Sequence, residues 1–116
     1  MTLQSLNRLD GVRLRFLFCV VAGFMERRLD AEDLSQARFW MRIAQAVERE
    51  RDGEKAQDLD FDELVDVDVE VAAKVCAGLA GGQVSATTEF FRELADQLEV
   101  ELQRRRREII ALERLV

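Results

Sequence analysis

The chain has 116 residues, 48% of them hydrophobic and 34% charged, with a net charge of −6. That length suits one domain, and that balance of apolar and charged residues excludes a disordered chain. It has no His, the side chain best suited to proton transfer near neutral pH, and no Pro, which favours long uninterrupted helices.

Taken in order, the first signal is Asp10-Gly11, a turn or cap. It separates a short helical arm over about Leu3–Leu9 from a first helix over about Val12–Arg28. Phe16, Leu17, Val20, Val21 and Phe24 fall on one broad face of that helix. Phe16–Met25 is a run of ten apolar residues. A membrane span needs ~20, and the charged MERRLD that follows argues against a signal peptide. The expectation is a buried core helix in a cytoplasmic protein, with no membrane contact. Cys19 and Cys76 each sit in an apolar run and read as two buried, free thiols.

Asp30 is a candidate N-cap for a second helix over Ala31–Arg51, with Asp33 favouring the dipole at its start. Its stripe is Leu34, Ala37, Trp40, Met41, Ala44 and Val47, widened by Phe39 and Ile43. Such a face belongs at the centre of a bundle. Asp52-Gly53 ends it.

The stretch VDVDVEV, Val65–Val71, alternates apolar and acidic residues as a strand does. A helix over Phe61–Ala80 explains it better. Phe61, Val65, Val69, Ala72, Cys76 and Leu79 then form one apolar stripe. Helical Val loses about 0.5–0.7 kcal/mol against Ala, and each like-charge pair costs about 0.2–0.5 kcal/mol. Burying each large stripe residue returns roughly 1.5–3 kcal/mol. A strand would need a partner ladder that this chain does not offer, short of pairing with a second copy.

Gly81-Gly82 closes that helix and Ser85 can cap the last one. From there to Val116 no breaker occurs. Phe91, Ala95, Leu98, Leu102, Arg105, Ile109, Leu112 and Val116 follow alternating steps of 4 and 3, a heptad seam with one charged member. A helix of ~30 residues spans ~45 Å, more than such a domain is wide. Residues 89–116 are therefore candidates for projection or dimerisation, or for a client-binding seam. The fold expected for residues 1–116 is all-α: a single small bundle of about four helices with a long C-terminal helix.

Charge is unevenly placed. Residues 1–57 carry ten basic and nine acidic side chains, and residues 71–116 carry seven of each. Residues 58–70 carry seven acidic and none basic. Asp58, Asp60, Asp62, Glu63, Asp66, Asp68 and Glu70 thus account for the acidity of the chain. Asp58, Asp60 and Asp62 match the first spacings of a calcium loop. Glu63 stands where the turn needs Gly, and Val69 where a bidentate Glu is needed, so metal is not expected. A carboxylate cluster can dock on a basic partner, including one that binds nucleic acid. A solvated, solubilising face accounts for the same run. Arg104–Arg107 point all around a helix, with Glu101 and Glu108 in pairing reach. They could form a nucleic-acid contact or meet the acidic segment of a second copy. The chain lacks the broad basic face that direct nucleic-acid binding uses, so none is expected.

No nucleophile elbow, phosphate loop or metal signature occurs. Arg8-Leu-Asp10 falls short of the Arg-x-x-Ile-Asp-x-x-Asp of helical chorismate mutases, with Arg13 where the second Asp belongs. A non-catalytic protein-interaction role without a cofactor is the expectation. In size and charge the chain resembles small acidic helical phage proteins that block nucleic-acid machinery, anti-CRISPR proteins among them. The resemblance is one of type and covers no alignable motif. It implies an inhibitor or adaptor docking on a basic surface. A dimeric secretion-type chaperone, holding a client through the C-terminal seam, is the other class expected from the same features.

Overall fold

The computed structural model describes residues 4–54, 59, 61–81 and 85–115, apart from the side chain of residue 86. A short 3-10 turn, Gln4–Arg8, precedes four α-helices: α1 Gly11–Asp30, α2 Leu34–Arg51, α3 Asp66–Ala80 and α4 Ala86–Leu115. No strand occurs among the described residues. The fold is all-α, two helical hairpins packed together: α1 against α2, and α3 against α4.

Local chemistry sets the ends. Asp10 caps α1, its carboxylate accepting from the Arg13 amide at 2.8 Å. α1 runs to Asp30, so the cap of α2 is Asp33 and not Asp30, its side chain accepting from the Gln36 amide. Glu32 turns the corner at φ 59°, in the left-handed region. The Asp33 amide bonds the Arg28 carbonyl and the Glu32 amide the Leu29 carbonyl, a Schellman closure. Gly53, at φ 76°, closes α2 with the same pattern, from Glu54 to Arg49 and from Gly53 to Glu50. Ser85 caps α4, accepting from the Thr88 amide while the Thr88 hydroxyl accepts from the Ser85 amide.

The core is built on α2. Trp40 is fully buried, stacked on Phe24 at 5.1 Å and met edge-on by Phe39 at 5.1 Å. Phe39 in turn reaches Phe61. Ile43, Ala44 and Val47 continue this face, but Leu34 and Met41 of the expected stripe are exposed. On α4 the buried apolar residues are Phe90, Phe91, Leu94, Ala95, Leu98 and Leu102. Phe90 and Leu94 lie beside the heptad seam and widen it, because α4 packs against both α3 and the N-terminal turn.

Two expectations need correction. α1 is not a buried core helix: Leu14, Leu17 and Val21 are buried, whereas Phe16 is 59% exposed and Cys19 is also exposed. The helix has one strong neighbour, α2, so only one face is covered. α3 begins at Asp66, not at Phe61. Val65 is its N-cap and is exposed, while Phe61 is buried from the preceding turn. The question raised by VDVDVEV is settled for helix from Asp66 onward, with Val69 at 0% exposure and Val67 at 63%. Val65 makes no side-chain cap bond, and Asp66 and Asp68 in the first turn supply the negative charge that end of the helix favours.

The molecule is elongated, 53 × 30 × 29 Å. From Arg106 to Leu115 every side chain of α4 is exposed. No helix among the described residues is long and apolar enough to cross a membrane.

Candidate functional site

Packing α4 along α3 brings the arginine run to the acidic segment of the same chain. Arg105, at a seam position, turns its guanidinium inward with only 14% of the side chain exposed. Nε donates to Glu101 Oε1 at 2.9 Å, Nη1 to Asp66 Oδ1 at 2.9 Å, and Nη2 to the Phe61 carbonyl at 2.7 Å. One side chain therefore ties α4 to the turn before α3 and to the first residue of α3. Heptad position 105 is apolar in a simple seam. Here the opposing surface is a carbonyl and a carboxylate, and a guanidinium matches both.

Arg104 flanks it. Nε and Nη2 donate to the two Glu101 oxygens at 2.9 and 2.6 Å, and Nη1 reaches Glu108. Asp62 lies 3.6 Å from Nη2. Arg106 stands 3.9 Å from Glu70, and Arg42 of α2 pairs with Glu63. The expected acidic face without positive neighbours is thus corrected: Asp62, Glu63, Asp66 and Glu70 all have arginine partners within the chain. The pairs at Asp62 and Glu70 are long and exposed, of the kind worth about 0–1 kcal/mol. Asp68 faces α2, where the Gln36 amide nitrogen donates to its backbone carbonyl at 2.8 Å. Asp58 and Asp60 lie outside the described residues.

Glu101 is the buried hub. Its carboxylate is held down to a pKa of about 2, first by the hydrogen bonds from Arg104 and against the opposing effect of burial, with Arg105 adding to the pull. Arg104 is raised in turn by Glu101, with smaller help from Glu108 and Asp62. Burial alone would lower Arg105, and its bonds to Glu101 and Asp66 outweigh it, so it too is raised. All three groups stay charged throughout the neutral range.

Among the described residues of this region, six carboxylates (Asp62, Glu63, Asp66, Glu70, Glu101, Glu108) pair with four arginines (Arg42, Arg104, Arg105, Arg106), while Asp68 meets Gln36 and Arg38 lines the adjoining cleft. The patch remains acidic after pairing. The cleft beside it, between Arg38, Phe39, Arg42, Leu59 and Glu63, has a volume of about 60 Å³. Small-molecule sites usually offer ~300–1,000 Å³. A wider open groove of about 410 Å³ runs between the N-terminal turn and α4, and four of its polar side chains meet one another across it. The Glu93 carboxylate accepts from the Ser5 amide and hydroxyl, and Arg8 approaches Glu89. No group of three or more metal-binding side chains occurs among the described residues.

The seam residues divide at Arg105. Phe91, Leu98 and Leu102 are buried inside the bundle. Ile109 and Leu112 continue the same stripe but are exposed, with Ile110 and Leu115 also open. Val116 lies outside the described residues. Neither Arg42–Glu63 nor Ser5–Glu93 had any local signal in the sequence, since each joins residues far apart in the chain.

Comparison with protein-family models, curated proteins and solved structures finds no match to this chain.

Proposed function

We propose that this chain is a non-catalytic protein-interaction module, an inhibitor or adaptor that offers the acidic patch around Asp62–Glu70 to a basic surface of a partner protein. The observation that supports it is that carboxylates outnumber the arginines that meet them, with Asp62, Glu63, Asp66 and Glu70 open to solvent at the surface. Asp62, Glu63 and Glu70 stand at the rim, and their arginine partners hold them loosely or from exposed positions. A partner's cations can replace such contacts at little cost, and the surplus speeds encounter. The nucleic-acid-binding surface of a protein or complex has the chemistry to fit. Direct nucleic-acid binding through Arg104–Arg107 draws less support, because Arg104 and Arg105 are already bound to carboxylates.

The test leaves the inner clasp intact. Asp62→Asn with Glu70→Gln removes two rim charges without touching Arg105, Asp66 or Glu101. Captured partners of wild type and variant are compared at low and high salt. A basic partner lost with the two charges and with salt supports the reading. A partner retained by the variant and indifferent to salt refutes it, and moves the binding surface to the apolar end of α4, the adaptor or chaperone alternative.

A further inference from the structure

The free end of α4 has a design of its own. Ile109 and Leu112 are exposed and continue the line of the buried seam beyond the last bundle contact, with Leu115 exposed on the flank beside them. In the heptad frame of the seam, Ile109 and Leu112 occupy the two core positions. Arg106 and Glu113 then lie on one flank of the stripe, and Glu108 lies on the other. A two-fold axis across two such helices brings like flanks together, while a parallel pair brings opposite flanks together. Antiparallel pairing therefore sets Arg106 against Glu113 of a second copy, twice by symmetry. Parallel pairing sets Glu108 against Glu113, also twice.

We propose that the exposed end of α4 is a self-association surface, on which a second copy of this chain packs antiparallel with Ile109 opposite Leu112. Charge complementarity selects the occupant and its direction. Glu113 is exposed and has no ion-pair partner among the described residues, and Arg106 holds Glu70 only at 3.9 Å. Both can turn to the second helix at small cost. Packed this way, Leu115 of each helix lies opposite Arg106 of the other, so the overlap uses the exposed residues 106–115. The contact is small. Residues 106–115 are far fewer than the ~20–30 residues a side of a stable interface, so the association is weak.

Sedimentation equilibrium on the purified chain, between about 10 µM and about 1 mM, measures it. A reversible monomer–dimer equilibrium is expected. Leu112→Asp should abolish it while leaving the helical circular dichroism and melting temperature unchanged, because Leu112 is exposed in the monomer. Glu113→Arg should weaken the dimer about tenfold by facing Arg106 with a like charge. Adding Arg106→Glu should restore it. A chain that stays monomeric at the highest concentration overturns the proposal, as does a dimer indifferent to Leu112→Asp. A dimer tightened by Glu113→Arg overturns it too, since that is the signature of parallel pairing. No outside partner enters this measurement, so its failure and that of the acidic docking face are separable.

Discussion

Arg105 Nη1 donates to Asp66 Oδ1 at 2.9 Å, joining residues 39 positions apart in the chain. The same guanidinium holds the Phe61 carbonyl and Glu101, so it fixes the turn that leads into α3 against the middle of α4. Arg105→Ala leaves the Phe61 carbonyl and part of Glu101 without their donor. The expected loss is about 2–3 kcal/mol in urea unfolding. Arg107→Ala, at an exposed position of the same run, should stay within about 0.5 kcal/mol. Equal effects from the two would mean that Arg105 does not organise this region.

The first turns of α3 give a second contrast. Val69 is fully buried and Val67 is exposed, two residues apart. Val69→Asp places an unpaired carboxylate in the core and should cost at least about 3 kcal/mol. Val67→Asp sits in the first turn, where the helix dipole favours negative charge, and should be close to neutral. Thermal melts of the two variants check it. A strand would put both side chains on one face and make both changes harmful.

Much of this fold could be read from the sequence. Apolar spacing gave four helices, Asp10 and Ser85 were legible as caps, and Asp52-Gly53 marked the end of α2. The largest error concerns charge. Counting charge by segment isolated residues 58–70 as purely acidic, but Arg42, Arg104, Arg105 and Arg106 reach them from α2 and α4. Such pairs depend on how helices pack, and no local pattern encodes that. One clue was present: a charged residue at seam position 105 needs a partner on the facing element. Apolar spacing also overextended α3 to Phe61, because a buried side chain entering from a turn can continue a helical stripe. It could not tell that α1 has a neighbour on one side only, which left Phe16 and Cys19 outside.

Glu32 holds a left-handed backbone that glycine adopts freely, in the same closure that Gly53 makes at the end of α2. Glu32→Gly should therefore stabilise the chain slightly or leave it unchanged, and Gly53→Ala should destabilise it by about 1 kcal/mol. Urea midpoints of the two variants decide it, and a clear loss from Glu32→Gly would point to a side-chain role for Glu32.

Glu101 should make acid sensitivity visible. Its folded pKa of about 2 lies below the ordinary value of 4.5. A depressed carboxylate contributes stability that is complete above the unfolded pKa and is lost as pH falls through the folded one. The window is therefore about pH 4.5 down to about pH 2, with a limiting slope of about 1.4 kcal/mol per pH unit for this one group. Comparing wild type with Glu101→Gln cancels most of the titration of the other carboxylates. The variant should be less stable at pH 7, and the gap should narrow steadily below pH 4.5. A gap that stays constant down to pH 2.5 would show that Glu101 is not held in its charged form.

The two cysteines should separate cleanly. Cys19 is exposed on α1, whereas Cys76 is fully buried on α3 and burial pushes its thiol up to about 12. Only the thiolate attacks a disulfide reagent, and only where the reagent can reach it. At pH 8 a chromogenic thiol reagent should therefore titrate one cysteine promptly, and Cys19→Ser should abolish that fast phase. Cys76 should react only as the bundle opens, at a rate that rises with added urea as stability falls. Two fast thiols would mean that α3 leaves the core readily. No fast thiol would mean that the outer face of α1 is covered in solution, and repeating the titration with Phe16→Asp would show whether that cover is apolar.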